Sequence, residues 1–167
     1  MHRMGNSRQE ILVDQARRQL VSHQYHKTLK LQEIAIDVAW GKSSRALVLI
    51  DSVGIAEGIH EQAEIRQAMA ATLEQLGRSH MILHMMDAAS VSAGQVESLG
   101  PVDEEISQYA ALVNPYVILA NKMDKPGASE GLAAIKDRFR GIPVIAISAL
   151  NRRGFKEVKA FVFRHLA

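Results

Sequence analysis

The chain has 167 residues, 47% of them apolar, which suits one domain, spanning 1–167, with a core of ordinary size. A net charge of +2 is too small to mark a nucleic-acid binder, and the absence of cysteine excludes a disulfide scaffold, a thiolate nucleophile and a cysteine zinc site. No apolar run reaches membrane-spanning length and no signal-peptide stretch opens the chain, so a soluble cytoplasmic protein is expected.

The first pattern is Ser7-x-x-Glu10 followed by Ile11 and Leu12, a capping box with Ser7 as N-cap. Ile11, Leu12, Ala16 and Leu20 then trace one stripe, which predicts an N-terminal helix within residues 1–25. In "LQEIAIDVAW" the residues Ile34, Ile36, Val38 and Trp40 recur at period two, as in a half-buried strand. Gly41-Lys42-Ser43-Ser44 reads as a turn, and "RALVLID" as a buried strand returning in a hairpin. "EGIHEQAEIRQAMAATLEQLG" predicts a helix with Ile65, Met69, Leu73 and Leu76 on one stripe and Gly77 as its stop.

"HMILHMMD" predicts the next strand, with Met81, Met85 and Met86 in the core. Residues 88–101 form a loop, punctuated by Gly94 and Gly100-Pro101. The helix "VDEEISQYAALV", the strand "YVILANK", a helix over "SEGLAAIKDRF" capped by Ser129, and the strand "IPVIAIS" follow. The chain closes on the helix "GFKEVKAFVFRHLA", with Phe155, Val158, Phe161, Val162 and Leu166 facing inward. Five strands alternating with about five helices imply an α/β fold with a mostly parallel sheet.

Asp51, Asp87, Asn121 and Ser148 each stand at or just after the end of a strand run. In open α/β sheets ligands bind beyond those ends. Asn121-Lys122-Met123-Asp124 resembles the Asn-Lys-x-Asp motif of GTPases. A carboxylate there can accept two hydrogen bonds from guanine's ring N–H and exocyclic amine, a donor pair that adenine lacks. The lysine stem can lie along the base plane. Ser148-Ala149-Leu150 resembles the Ser-Ala-Lys/Leu motif, whose backbone N–H meets the guanine carbonyl. Asp51-Ser52-Val53-Gly54 resembles Asp-x-x-Gly, whose aspartate reaches Mg²⁺ through water and whose glycine admits the γ-phosphate. Thr28, twenty-three residues upstream of Asp51, stands where the switch threonine that ligates magnesium is expected, or is an ordinary loop residue.

From about residue 28 to 167 the chain thus resembles the translation-factor-related small GTPases, and most of all the Era-like and TrmE-like bacterial ones. "SVGIAEG" is similar to their Asp-Thr-Pro-Gly-Ile switch and "MMDAAS" to their strand-end Asp-Ala-Ser, with an expanded loop over Ala89–Val102. The resemblance implies the three-layer P-loop NTPase fold, GTP and GDP as ligands, Mg²⁺, and hydrolysis of GTP to GDP. Two departures bear on this activity. Ile55 follows Gly54 where many GTPases place a water-orienting glutamine, so no catalytic residue is assigned, although Glu57, His60 and Glu61 lie in the same switch. No Gly-x-x-x-x-Gly-Lys-Ser/Thr precedes Thr28; "GNSRQE" lacks the second glycine and the lysine, and Glu10 puts a carboxylate at the helix start where a phosphate belongs.

The expectation is therefore a GTPase fold whose first strand and phosphate loop are missing, with impaired hydrolysis. Shortening of the chain, degeneration of the motif, or a segment from elsewhere filling the gap would each account for it. A pseudo-GTPase serving as a scaffold for an effector protein is the alternative, and an RNA- or ribosome-associated protein another. For the last, Arg17-Arg18, Lys136 to Arg140 and Arg152-Arg153 to Lys159 would have to share a surface, though each also reads as a solvated helix face.

Overall fold

The computed structural model describes residues 32–52, 63–91 and 99–166. The expected N-terminal helix, Thr28, Gly54, Ile55, Glu57, His60 and Glu61 lie outside them. Strands β1 (Gln32–Trp40) and β2 (Ser43–Asp51) are followed by helix α1 (Ala63–Arg78), then β3 (Ile82–Asp87), α2 (Pro101–Val113), β4 (Tyr116–Asn121), α3 (Ala128–Arg138), β5 (Val144–Ala146) and α4 (Phe155–His165). Contacts divide the chain into two units, with the boundary inside α1 between Thr72 and Leu73.

One unit contains the antiparallel β1–β2 hairpin, in register from Gln32↔Asp51 to Trp40↔Ser43. Its two-residue turn has Gly41 at φ +60, as the first central position of a type II′ turn requires. The even positions of β1 are half-buried and the odd ones exposed, as the period-two pattern predicts. β2 departs from expectation: it is largely exposed, and Val48 keeps 60% of its surface. Among the described strands its only hydrogen-bonded neighbour is β1.

The other unit contains a parallel sheet in the order β3-β4-β5. β4 is central and buried on both faces, which explains its unbroken apolar run. Its alternate side chains feed two cores. Tyr116, Ile118 and Ala120 pack with Ala110 of α2 and Ile135 of α3, together with Ala128 and Phe139. Val117 and Leu119 pack with Ile147 and with Val158 and Phe161 of α4. Helices thus cover both faces, and the carboxyl ends of three strands share one rim.

Several local expectations change. Met86 is buried, whereas Met85 is 58% exposed because it points to the opposite side of a strand that has no described neighbour on its outer edge. Phe155, in the first turn of α4, is exposed. α3 begins at Ala128 with Gly127 as N-cap at φ 79, so Ser129 lies inside the helix and caps nothing. Asn114, at the end of α2, donates its side-chain N–H to the Leu76 carbonyl at 3.0 Å and ties the ends of α1 and α2 together.

Candidate functional site

At the rim of the parallel sheet, β3 ends on Asp87 and β4 on Asn121, which are paired in register. Asn121 organises the loops on either side of it. Its Oδ1 accepts the Lys122 N–H at 2.7 Å and the Ala149 N–H at 3.1 Å, and its Nδ2 reaches Met85 Sδ at 3.4 Å. Two backbone donors on one oxygen settle which way the carboxamide points. The Met123 N–H donates to the Ile147 carbonyl at 3.1 Å, so the loops after β4 and β5 are stitched by backbone as well as by side chain.

Lys122 adopts φ +66, a left-handed conformation that costs a non-glycine residue about 1–2 kcal/mol. Three contacts hold it there: Asn121 on its N–H, the Lys125 N–H on its carbonyl at 2.9 Å, and an ion pair from its Nζ to Asp87. Asp87 in turn accepts the Ala89 and Ser90 N–H groups on Oδ1 at 3.1 and 3.3 Å. Burial alone would raise its carboxyl, but the hydrogen bonds from Lys122 and Ser90 and the lysine's charge outweigh that and hold it below the ordinary value.

Asp124 is exposed, and Ser148 Oγ–H donates to its Oδ1 at 2.5 Å. That bond, helped by the charges of Lys125 and Lys122, lowers the carboxyl's pKa. Ser148 is itself buried and accepts the Asn151 N–H at 3.1 Å. The loop closes by paired backbone bonds between Ser148 and Arg153, leaving Leu150 at its tip with 76% of its surface exposed. The Ala149 N–H, expected at a guanine carbonyl, points to Asn121 in this structure, so an incoming base would have to share or displace that bond.

The structure therefore brings Asn121, Lys122, Asp124, Ser148 and Ala149 together at one rim. Asp51 ends β2 in the hairpin unit, where desolvation raises its carboxyl. The chain's one Gly-Lys-Ser sequence, Gly41-Lys42-Ser43, is the turn and first strand residue of the hairpin. A phosphate loop instead runs from a strand into a helix N-terminus, so this triplet is not one. Sequence reasoning placed Asp87 at the rim but gave it no role; the signal was an aspartate followed by small residues, the pattern of a side chain capping its own turn.

The family model described as 50S ribosome-binding GTPase matches residues 10–122. The chain belongs to this family. It is 31% identical to the GTPase Obg of Ruminiclostridium cellulolyticum over 140 residues, which cover 80% of this chain and 32% of that protein. It is 30% identical to the GTPase Obg of Geobacillus thermodenitrificans over 139 residues, covering 81% and 31%. The chain spans about a third of the length of these curated relatives.

Among solved structures, family member and neighbour share the fold: a variant of Era from Aquifex aeolicus bound to GDP·AlF4⁻ superposes with a TM-score of 0.64 at 21% identity, covering 87% of this chain and 47% of that one. Era in complex with MgGDPNP and nucleotides 1506–1542 of 16S ribosomal RNA gives 0.64 at 22%, with the same coverage. The architecture is that of the P-loop GTPases, as the sequence implied. No described helix is long and apolar enough to cross a membrane.

Proposed function

We propose that this chain is a guanine-nucleotide-binding domain in which Asn121, Lys122, Asp124 and the Ser148-Ala149-Leu150 loop receive the base. One observation carries the reading: an exposed carboxylate, Asp124, is fixed by Ser148 and kept ionised, so it presents acceptors where guanine presents two donors. On the phosphate side, Asp51 and Thr28 are hard oxygen donors suited to a largely hydrated Mg²⁺, and Gly54 would admit the γ-phosphate. Magnesium there would neutralise the triphosphate's charge. With Ile55 after Gly54 and no Gly-x-x-x-x-Gly-Lys-Ser/Thr in these residues, turnover of GTP to GDP is slow and phosphate affinity weak. The reading includes one domain over 1–167 and a cytoplasmic setting, and leaves room for an effector protein or a scaffold role without hydrolysis.

Titration of the purified chain with a fluorescent GDP analogue tests this. Micromolar or tighter binding that Asp124→Ala abolishes is expected; no binding at millimolar nucleotide sinks the reading. A second reading, contact with RNA or the ribosome, is favoured by exposed Arg152 and Arg153 in the loop before α4 and Lys156 in its first turn, and by the family's description. It requires RNA affinity that falls steeply with salt.

A further inference from the structure

We propose that Asp87 is a positioning residue for base recognition, holding the side chain of Lys122 stretched across the rim as a platform for the guanine plane. The proposal rests on the guanine-binding reading above and deepens it. The Lys122 side chain is fixed at both ends. At its root, the left-handed backbone is set by the Asn121 side chain on the Lys122 N–H. At its tip, Nζ is paired with Asp87 Oδ2 from a residue 35 positions away in sequence. The four-carbon stem between those points is apolar surface that cannot swing freely, and such a stem covers an aromatic plane well.

Asp87 can serve as the anchor because its own position is over-determined. Its Oδ1 is held by the Ala89 and Ser90 N–H groups, and its carbonyl accepts the Ser90 and Val91 N–H groups at 3.2 and 3.3 Å. The next residue, Ala88, donates its N–H to the Asn121 carbonyl at 3.0 Å. One carboxylate oxygen thus builds the turn and the other reaches across to the lysine. The pair fixes the tip of the lysine as well as the turn, and pre-orienting a flexible cation removes an ordering cost from binding.

The test separates the two oxygens. Asp87→Asn keeps an acceptor for the turn and removes the charge that holds Lys122. Lys122→Met keeps the stem and removes the ammonium. Asp87→Asn is expected to weaken binding of the fluorescent GDP analogue by about twofold to fivefold and to have no further effect in a Lys122→Met background. In the nucleotide-free protein, the NMR signals of the Lys122 ε-methylene, distinct in the unsubstituted chain, move to those of an exposed lysine in Asp87→Asn. Equal losses in both backgrounds, no loss, or unmoved Lys122 signals overturn the role. Absence of binding by the unsubstituted chain overturns the guanine reading and this role together, whereas binding that ignores Asp87 overturns the role alone.

Discussion

Asp124 is exposed yet tethered, and its chemistry follows from that pairing. Because Ser148 donates to it, its folded pKa lies below the ordinary aspartate value of about 3.9. A function that needs the carboxylate is therefore fully present at neutral pH and lost only as pH falls through the lowered value. The contribution of Asp124 to nucleotide affinity should stay flat from about pH 7 to about pH 5. Ser148→Ala removes the largest lowering contact, so the acid limb of an affinity–pH curve should move to higher pH; an unmoved limb would show that Ser148 does not set the carboxyl. Asp124→Asn replaces an acceptor by a donor. It should weaken the GDP analogue by about tenfold or more and improve binding of the xanthine counterpart, which carries a carbonyl in place of the exocyclic amine. Equal affinity for both bases in the two proteins would count against a base contact at this residue.

At the scale of elements, α3 shows how the rim is braced. Gly131 lies in its second turn, and a Cβ there would stand 1.8 Å from the Ala88 carbonyl oxygen and 2.3 Å from that of Val91. In an exposed helix interior, glycine to alanine stabilises by about 1 kcal/mol. Here backbone would have to move, so Gly131→Ala should instead destabilise by about 1–3 kcal/mol in chemical unfolding, and the sign of the change decides the matter. Much of this level was legible in the sequence. The apolar run "YVILA" named a strand, and Ile34 to Trp40 named a half-buried one. The cap was misplaced onto Ser129 because a serine is a local signal for capping, whereas the helix starts at Ala128 from the left-handed Gly127. The left-handed Lys122 had no local signal at all. Lysine has no preference for that conformation; tertiary contacts from Asn121 and Asp87 impose it. Burial of β2 was equally out of reach, since "RALVLID" is apolar whether or not neighbours cover it.

At the scale of the whole molecule, the described residues of the two units carry different amounts of core. The parallel sheet is covered on both faces by helices, and Val117, Ile118 and Ala120 are fully buried in its central strand. The hairpin leaves Val48 and Leu49 exposed, and a two-stranded sheet in water is marginal by itself. Local opening free energies should differ accordingly. Amides of β4 are expected to exchange only through global unfolding, while those of β1 and β2 exchange by opening of the hairpin, at rates that denaturant changes little. Hydrogen exchange read by mass spectrometry separates the segments. The same experiment bears on the proposed function, because the residues proposed for the base and for Mg²⁺ belong to different units. GDP contacting the rim alone should protect the 121–124 and 148–153 segments and leave β2 unchanged, whereas nucleotide with Mg²⁺ engaging Asp51 should slow exchange at the end of β2 as well. Uniform exchange across β2 and β4 without ligand would refute the difference in core. Protection of β2 by GDP in the absence of the metal would refute the proposed assignment of Asp51 to Mg²⁺.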